Sequence, residues 1–507
     1  MHAPVQYPAS IEPLVQFIEQ TDHDEILDKT LAKLRGGVDP KTMLIASSLA
    51  VVRSSDLPPG HHGGPLHPLA GIHAISKLVD RLEGEDRFLP VLQHVALSNR
   101  HLHDPMTSPF QLLEFEPLGP SGSKMSRISD LAQDGAGDVV TTDGIQAVKD
   151  SFLKACSRGE NLKADHLFLW LWDNVSEIEA FDLLMSVALP KNIIDDHYFI
   201  FPGYLWRGIE AIGKEHMKVL FRPAVRYVAR APVQKSIPEI DALIDEYELL
   251  ERVLRQRTGD DETEKIGALG EAIGLVQDYN DIPELIAKAL VDGLSLEGAG
   301  ESLSIGAARL FLRSLTGNPM DVHLHTSANL RRYLVGLDGF SIHNKLLALM
   351  LWHTGPEVRN TQHRQHATPQ PEPAAIAALP ARSQEDLLAA IKHSIYTQPA
   401  TDWSKVTNLG ILRAVPEVRI SVNLAQQYVN LGYDPQALIK VLAEIVCHDS
   451  FTEMHAFKHH QAVIEEYNNT REPWRSMHLV CGVMAAAISF GKNMSVYEDL
   501  LDLMHAA

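Results

Sequence analysis

Histidine is the residue through which this chain could do chemistry. The 507 residues include 25 histidines, and several stand where apolar, helix-patterned runs begin. A neutral imidazole is the commonest protein ligand for zinc, iron and copper, and a nearby carboxylate often fixes its orientation. Four stretches carry this pattern. The first is Gly60-His61-His62-Gly63-Gly64-Pro65-Leu66-His67-Pro68, with His73 six residues beyond His67. Its glycines let backbone approach a ligand closely, and Pro68 suits a first helical turn. The second is Asp195-Asp196-His197-Tyr198-Phe199. Acids there complement a helix start. His197 reads either as a ligand with a carboxylate behind it or as a general acid/base beside Asp196.

The third stretch, Asp321-Val322-His323-Leu324-His325-Thr326-Ser327-Ala328-Asn329, enters a helix on which only one of His323 and His325 is expected to point inward. Thr326 and Asn329 follow as short polar contacts for a substrate. The fourth is Met454-His455-Ala456-Phe457-Lys458-His459-His460. His455 and His459 are four residues apart and share a helix face, the spacing of helical metal sites. The residues between them lack the glutamate of a His-Glu-x-x-His protease, and Glu453 and Glu466 lack the Glu-x-x-His spacing of a di-iron bundle. Against the metal reading stands an ordinary one, in which a loop histidine caps a helix or bonds a carbonyl. His343 and His353, flanking the apolar run from Leu346 to Trp352, are read that way, as core or boundary residues. For the set as a whole, the expected ligands are His67, His197, His323 and His455, with His62 and His73 in reserve. Asp196, His197, Thr326 and Asn329 are the candidate catalytic residues.

These same segments carry a resemblance. His67-Pro-Leu-Ala, His197-Tyr-Phe-Ile-Phe, His323-Leu-His-Thr with Asn329, and Met454-His455-Ala-Phe resemble a little-characterised group of long, histidine-bearing helical bacterial proteins. More distantly, the chain is similar to the questin oxidase family, helical fungal and bacterial oxygenases of the Baeyer–Villiger type. The similarity spans most of positions 20–470. It implies oxidation chemistry and leaves the substrate open.

The elements that must position these residues are helices. Residues 11–35 place Ile11, Leu14, Val15, Ile18, Ile26, Leu27, Leu31 and Leu34 at spacings of three and four, an amphipathic stripe. The period recurs in some fourteen further runs, among them 69–82, 198–228, 327–336, 436–447 and 475–490, punctuated by proline and glycine. Alternating strand patterns are nearly absent. The reading is all-α, an irregular multi-helix bundle or stacked helix pairs without an extensive sheet. No fixed repeat marks a regular solenoid. A main body is expected over 1–355 with a flexible loop near 115–138. A proline-rich, mobile connector over 356–383 and a helical segment over 384–507, packed on the body, would follow.

Composition excludes several classes. Lys and Arg number 45 against 65 Asp and Glu, a formal charge of −20, and no basic run offers a nucleic-acid surface. Cys156, Cys447 and Cys481 are far apart, which argues against a disulfide framework, a zinc ribbon or an iron–sulfur site. No apolar run approaches the ~18 residues of a membrane helix, and the first residues lack the basic and apolar regions of a signal peptide. Cytoplasmic location is the default expectation.

The functional expectation is a helical metal-dependent enzyme, an oxidoreductase of oxygenase type acting on a small organic substrate in a His-lined buried pocket. Iron is the first choice of metal, with zinc and copper as alternatives. A hydrolase or lyase could use the same ligands, because a metal-bound water needs nothing different. From another class comes a non-catalytic helical scaffold with incidental histidines. Convergence of the four histidines on one cavity is what separates enzyme from scaffold.

Overall fold

The computed structural model describes residues 3–58, 63–115, 117–120, 142–231, 238–255, 261–314, 319–363, 365, 371–397, 416–448, 453–490 and 495–505. Helix dominates throughout. Among the described residues there is no strand, and one isolated bridge joins Pro4 to Leu113. The all-α expectation holds. No helix among the described residues is long and apolar enough to cross a membrane.

Boundaries differ from the sequence reading where polar residues interrupt the period. The stripe over 11–35 is two helices, Glu12–Gln20 and Ile26–Arg35. Thr21 closes the first by bonding its hydroxyl to the Phe17 carbonyl. The run over 198–228 is likewise two helices, broken at Gly213. Among its described residues the 356–383 connector holds two short helices, Pro356–Gln362 and Pro373–Ala377. The first is docked through buried Val358 and Thr361, and the Thr361 hydroxyl lies 3.0 Å from the Tyr279 hydroxyl. The loop expected near 115–138 falls almost wholly outside the described residues.

Four helices position the site, numbered α1 (Leu66–Arg81), α2 (His197–Ile212), α3 (His323–Val335) and α4 (His455–Asn469). Each is buried over most of its circumference, α1 from Leu66 to Ser76 and α2 from His197 to Ile209 without interruption. A helix with no solvent face lies inside a larger assembly of helices. α1 packs along α2, and α4 packs against both α1 and α3. Since α4 belongs to the C-terminal segment, that segment is built into the core of the body. Gly71 on α1 permits the close approach, because a Cβ there would stand 2.9 Å from Cγ of Met454, just before α4.

Candidate metal centre

Each of the four helices carries a histidine at its N-terminal end. His67 is the second residue of α1, and His197, His323 and His455 are the first residues of α2, α3 and α4. The packing brings these four N-termini together. Nε2 of His67 lies 3.1 Å from Nε2 of His197, and Nε2 of His455 lies 3.2 Å from Nε2 of His323. The rings of His67 and His455 join the two pairs, with centroids 5.0 Å apart. Exposure of the four residues is 5%, 7%, 2% and 4% in chain order, so bulk water is absent from around the rings. His67, His197 and His455 each offer a nitrogen within 4.8 Å of the others. Tetrahedral ligands ~2.1 Å from one ion stand ~3.4 Å apart, so small ring rotations would close the trio onto an ion.

The far side of three of the four rings meets an acceptor that fixes its tautomer. Nδ1 of His197 donates to Oδ1 of Asp195 at 2.6 Å. Oε2 of Glu453 lies 2.6 Å from Nδ1 of His67. Nδ1 of His323 donates to the Met320 carbonyl at 2.9 Å. With the proton of each neutral ring on Nδ1, Nε2 of His67 and Nε2 of His197 both present lone pairs, and they do so to each other. Two acceptors at 3.1 Å repel unless a positive centre, a metal ion or a proton, lies against them.

Electrostatics favour neutral rings at His67, His323 and His455. Burial pushes His67 and His323 down to about 3. Burial, followed by Lys458 and the neighbouring rings, holds His455 well below its usual value. Burial alone would raise Glu453, but the contact with His67 outweighs it and holds the carboxyl at about 2. Asp195 is likewise held low by His197 against the effect of burial. Its second oxygen accepts from the Tyr227 hydroxyl at 2.8 Å. Phe201 seals the cluster, its ring 5.5 Å from His67 and 4.8 Å from His197 between centroids.

The chain into α4 is strained. Glu453 and Met454 have φ of 47° and 74°, consecutive left-handed residues without glycine, each costing of order 1 kcal/mol. Gly63, at φ 84°, lies so near the His67 ring that a Cβ would meet Cε1 at 2.5 Å. Both distortions lie against His67 or the residue that orients it.

Two residues at the centre, Glu453 and Lys458, were given no role from the sequence, and the carboxylate expected behind His197 is Asp195. Asp195 and Glu453 orient imidazoles. Lys458, on the first turn of α4, is 2% exposed, and burial pulls its amine down to about 7. Its Nζ stands 5.7 Å from the centroid of the Tyr204 ring. A signal was present in the repeated acid-x-His step at Asp195–His197, Asp321–His323 and Glu453–His455.

Other candidates lie elsewhere. His62 is outside the described residues. His73 bonds Oε1 of Glu465 at 2.8 Å, and that carboxylate also pairs with Arg207. Asn329 accepts from Arg207 and donates to Glu466. Arg332 pairs with Glu466 at 2.6 Å. These residues form one ion network that ties α1, α2, α3 and α4 together two to three turns from the histidines. Asp196 turns away from the rings, accepting from the backbone N–H of Glu357 at 2.9 Å. The Thr326 hydroxyl donates to the Val322 carbonyl.

The i, i+4 pair divides, with His455 in the centre and His459 beside His325, centroids 5.1 Å apart. His325 is fully buried and reaches Nδ1 of His478 at 2.8 Å, so both members of His323-x-His325 face inward, contrary to the alternation expected. They do so because α3 is enclosed on all sides. Among the described residues, His67, His197 and His455 form the one group with metal-ligand spacing. No protein-family model, curated protein or solved structure matches this chain.

Proposed function

We propose that the protein is a metal-dependent oxidoreductase acting on a small organic substrate, with His67, His197 and His455 as the metal ligands. The observation that carries the reading is the pair of Nε2 atoms 3.1 Å apart, each ring having a carboxylate oxygen 2.6 Å from its opposite nitrogen. A divalent ion held by these rings would satisfy both, with Asp195 and Glu453 to balance its charge. Three nitrogen ligands leave a coordination position open for substrate or oxidant. An all-imidazole set suits iron, copper or zinc, and iron or copper would supply redox chemistry. His323, its Nε2 against His455, stands where a proton can be received. Lys458 supplies a second buried base near its titration point.

One observation favours a second reading. Distances of 3.1 and 3.2 Å are also hydrogen-bond distances, so a single proton between His67 and His197 would relieve the same repulsion. The cluster would then be a metal-free general base. Elemental analysis of protein expressed with added iron, zinc and copper decides between them. The metal reading expects close to one ion per chain, lost in His455→Ala. Absence of bound metal, with substrate turnover undiminished by a chelator, would overturn it and leave the general-base reading.

A further inference from the structure

A cavity of about 560 Å³ lies on the outer side of Asp195, the residue that orients His197. One wall is a face of the helix Met217–Arg230, which presents Arg226, Tyr227 and Arg230 at helical spacing. Leu57, Leu66 and Ile194 supply apolar surface. This volume is that of a small-molecule site, and it touches the centre at two points, through Asp195 and through Leu66, the neighbour of His67.

Charge says what the cavity takes. Arg226 is 4% exposed, and its Nε and Nη2 make no hydrogen bond among the described residues. Its guanidinium stacks on Phe110 at 4.9 Å and meets one carboxylate oxygen, of the partly exposed Asp56, at 3.4 Å. That distance is too long for a good charge-assisted hydrogen bond. Arg230, one turn on, reaches the carbonyls of Leu57 and Pro58. The other acid in the wall, Asp195, has its oxygens engaged by His197 and Tyr227. Two guanidinium groups therefore share the wall with one further carboxylate, Asp56, whose Oδ1 already accepts from the Leu57 backbone N–H. A buried arginine with unused donors, in a fork that matches a carboxylate, is a site built for one.

We propose that this cavity binds an organic acid, its carboxylate on Arg226 and its ring-bearing apolar body against Leu57, Leu66, Tyr198 and Tyr227. Calling that acid the substrate rests on the enzyme reading above; the binding itself does not. Tyr198 and Tyr227 pack at 4.7 Å between centroids and add aromatic surface to the lining. Because Tyr227 also holds Asp195, an occupant is sensed by the carboxylate that orients His197.

The test uses the full chain and two fluorescent probes of equal shape, 2-naphthoate and 2-naphthamide. The acid should bind at least roughly tenfold more tightly than the amide at pH 7, with the preference shrinking as salt is raised. Arg226→Gln should abolish the preference while metal content stays as in the parent. Ile194→Trp, at a partly exposed position in the cavity wall, should weaken both probes, and it serves if Arg226→Gln fails to fold. Equal binding of acid and amide would overturn the proposal, as would a preference that survives in folded Arg226→Gln or probe binding untouched by Ile194→Trp. A protein that prefers the acid yet holds no metal would overturn the metal reading and leave this one standing.

Discussion

Glu466 on α4 gives the most quantitative test of how the four helices are held. Its carboxylate is 1% exposed and accepts from Ser304 at 2.6 Å, Asn329 at 2.8 Å and Arg332 at 2.6 Å. Two of those donors lie on α3, so one carboxylate fixes the helix of His323 against that of His455. Burial alone would raise its pKa, but Arg332, then the nearby imidazoles, hold it at about 2 instead of 4.5. At ~1.4 kcal/mol for each pKa unit, that difference is worth about 3 kcal/mol to the folded state. The same order follows from the ~3–5 kcal/mol cost of removing one partner from a buried ion pair. The pKa is depressed, so the contribution is fully present above pH 4.5 and is lost as pH falls through about 2. Glu466→Gln should therefore melt about 3 °C below the parent at pH 7, taking ~2 cal/mol/K of unfolding entropy per residue. The gap should narrow steadily as the pH is lowered from 4.5. Scanning calorimetry of both proteins from pH 7 to the lowest pH that keeps them soluble measures it. Equal melting temperatures at pH 7, or a gap that does not narrow in acid, would refute the role given to this carboxylate.

Glu453→Gln keeps the shape behind His67 but removes the charge, so metal affinity should fall ~10- to 100-fold with the far-ultraviolet circular dichroism unchanged; a competitive chelator titration reads this, and unchanged affinity counts against the orienting role. His323→Ala should lower turnover by at least ~100-fold, within the usual range for a lost acid–base group, while metal content stays near one ion per chain. Loss of the metal in that variant would instead make His323 a ligand. Lys458 is charged in the unfolded chain up to about 10.5 but in the folded chain only below about 7. The folded state thus binds fewer protons, and the cost of burying the amine is full below pH 7 and gone by 10.5. Lys458→Met should accordingly raise the melting temperature of metal-free protein at pH 6, with the gain fading toward pH 10; a gain that does not depend on pH would contradict this account.

The sequence made the helices legible because helix period survives even where a helix is wholly enclosed. Proline and glycine marked most ends. It also placed a histidine at the head of four apolar runs, and the structure brings those four together. Side-chain direction was less legible. His323 and His325 could not both be read as inward, because that inference assumed one buried face, whereas α3 is surrounded. His73, Thr326 and Asn329 had the right chemistry for a site, but whether such groups meet a substrate or one another depends on long-range packing. Glu465 stands nearly 400 residues from its partner His73, beyond any local pattern.

The acid-x-His step was in plain view and carries a physical reason. Four helix N-termini meeting at one point bring four positive dipole ends to the same small volume, which opposes a cation there. A carboxylate two residues ahead of a helix-starting histidine sits beside that dipole end and can reach Nδ1 of a ring in the cluster. It offsets the dipoles, fixes the tautomer and turns Nε2 inward in one placement. Asp195 does this for the histidine of its own helix, and Glu453 does it for His67 across the interface. α1 has Pro65 at the corresponding place and borrows its carboxylate from α4. Glu453 can reach across only because residues 453 and 454 adopt left-handed backbone, and that strain is held in place by the packing of α4 on α1. The centre is therefore complete only when the C-terminal segment is docked. A chain ending before 453 would keep three of the four histidines and lose the His67, His197 and His455 trio.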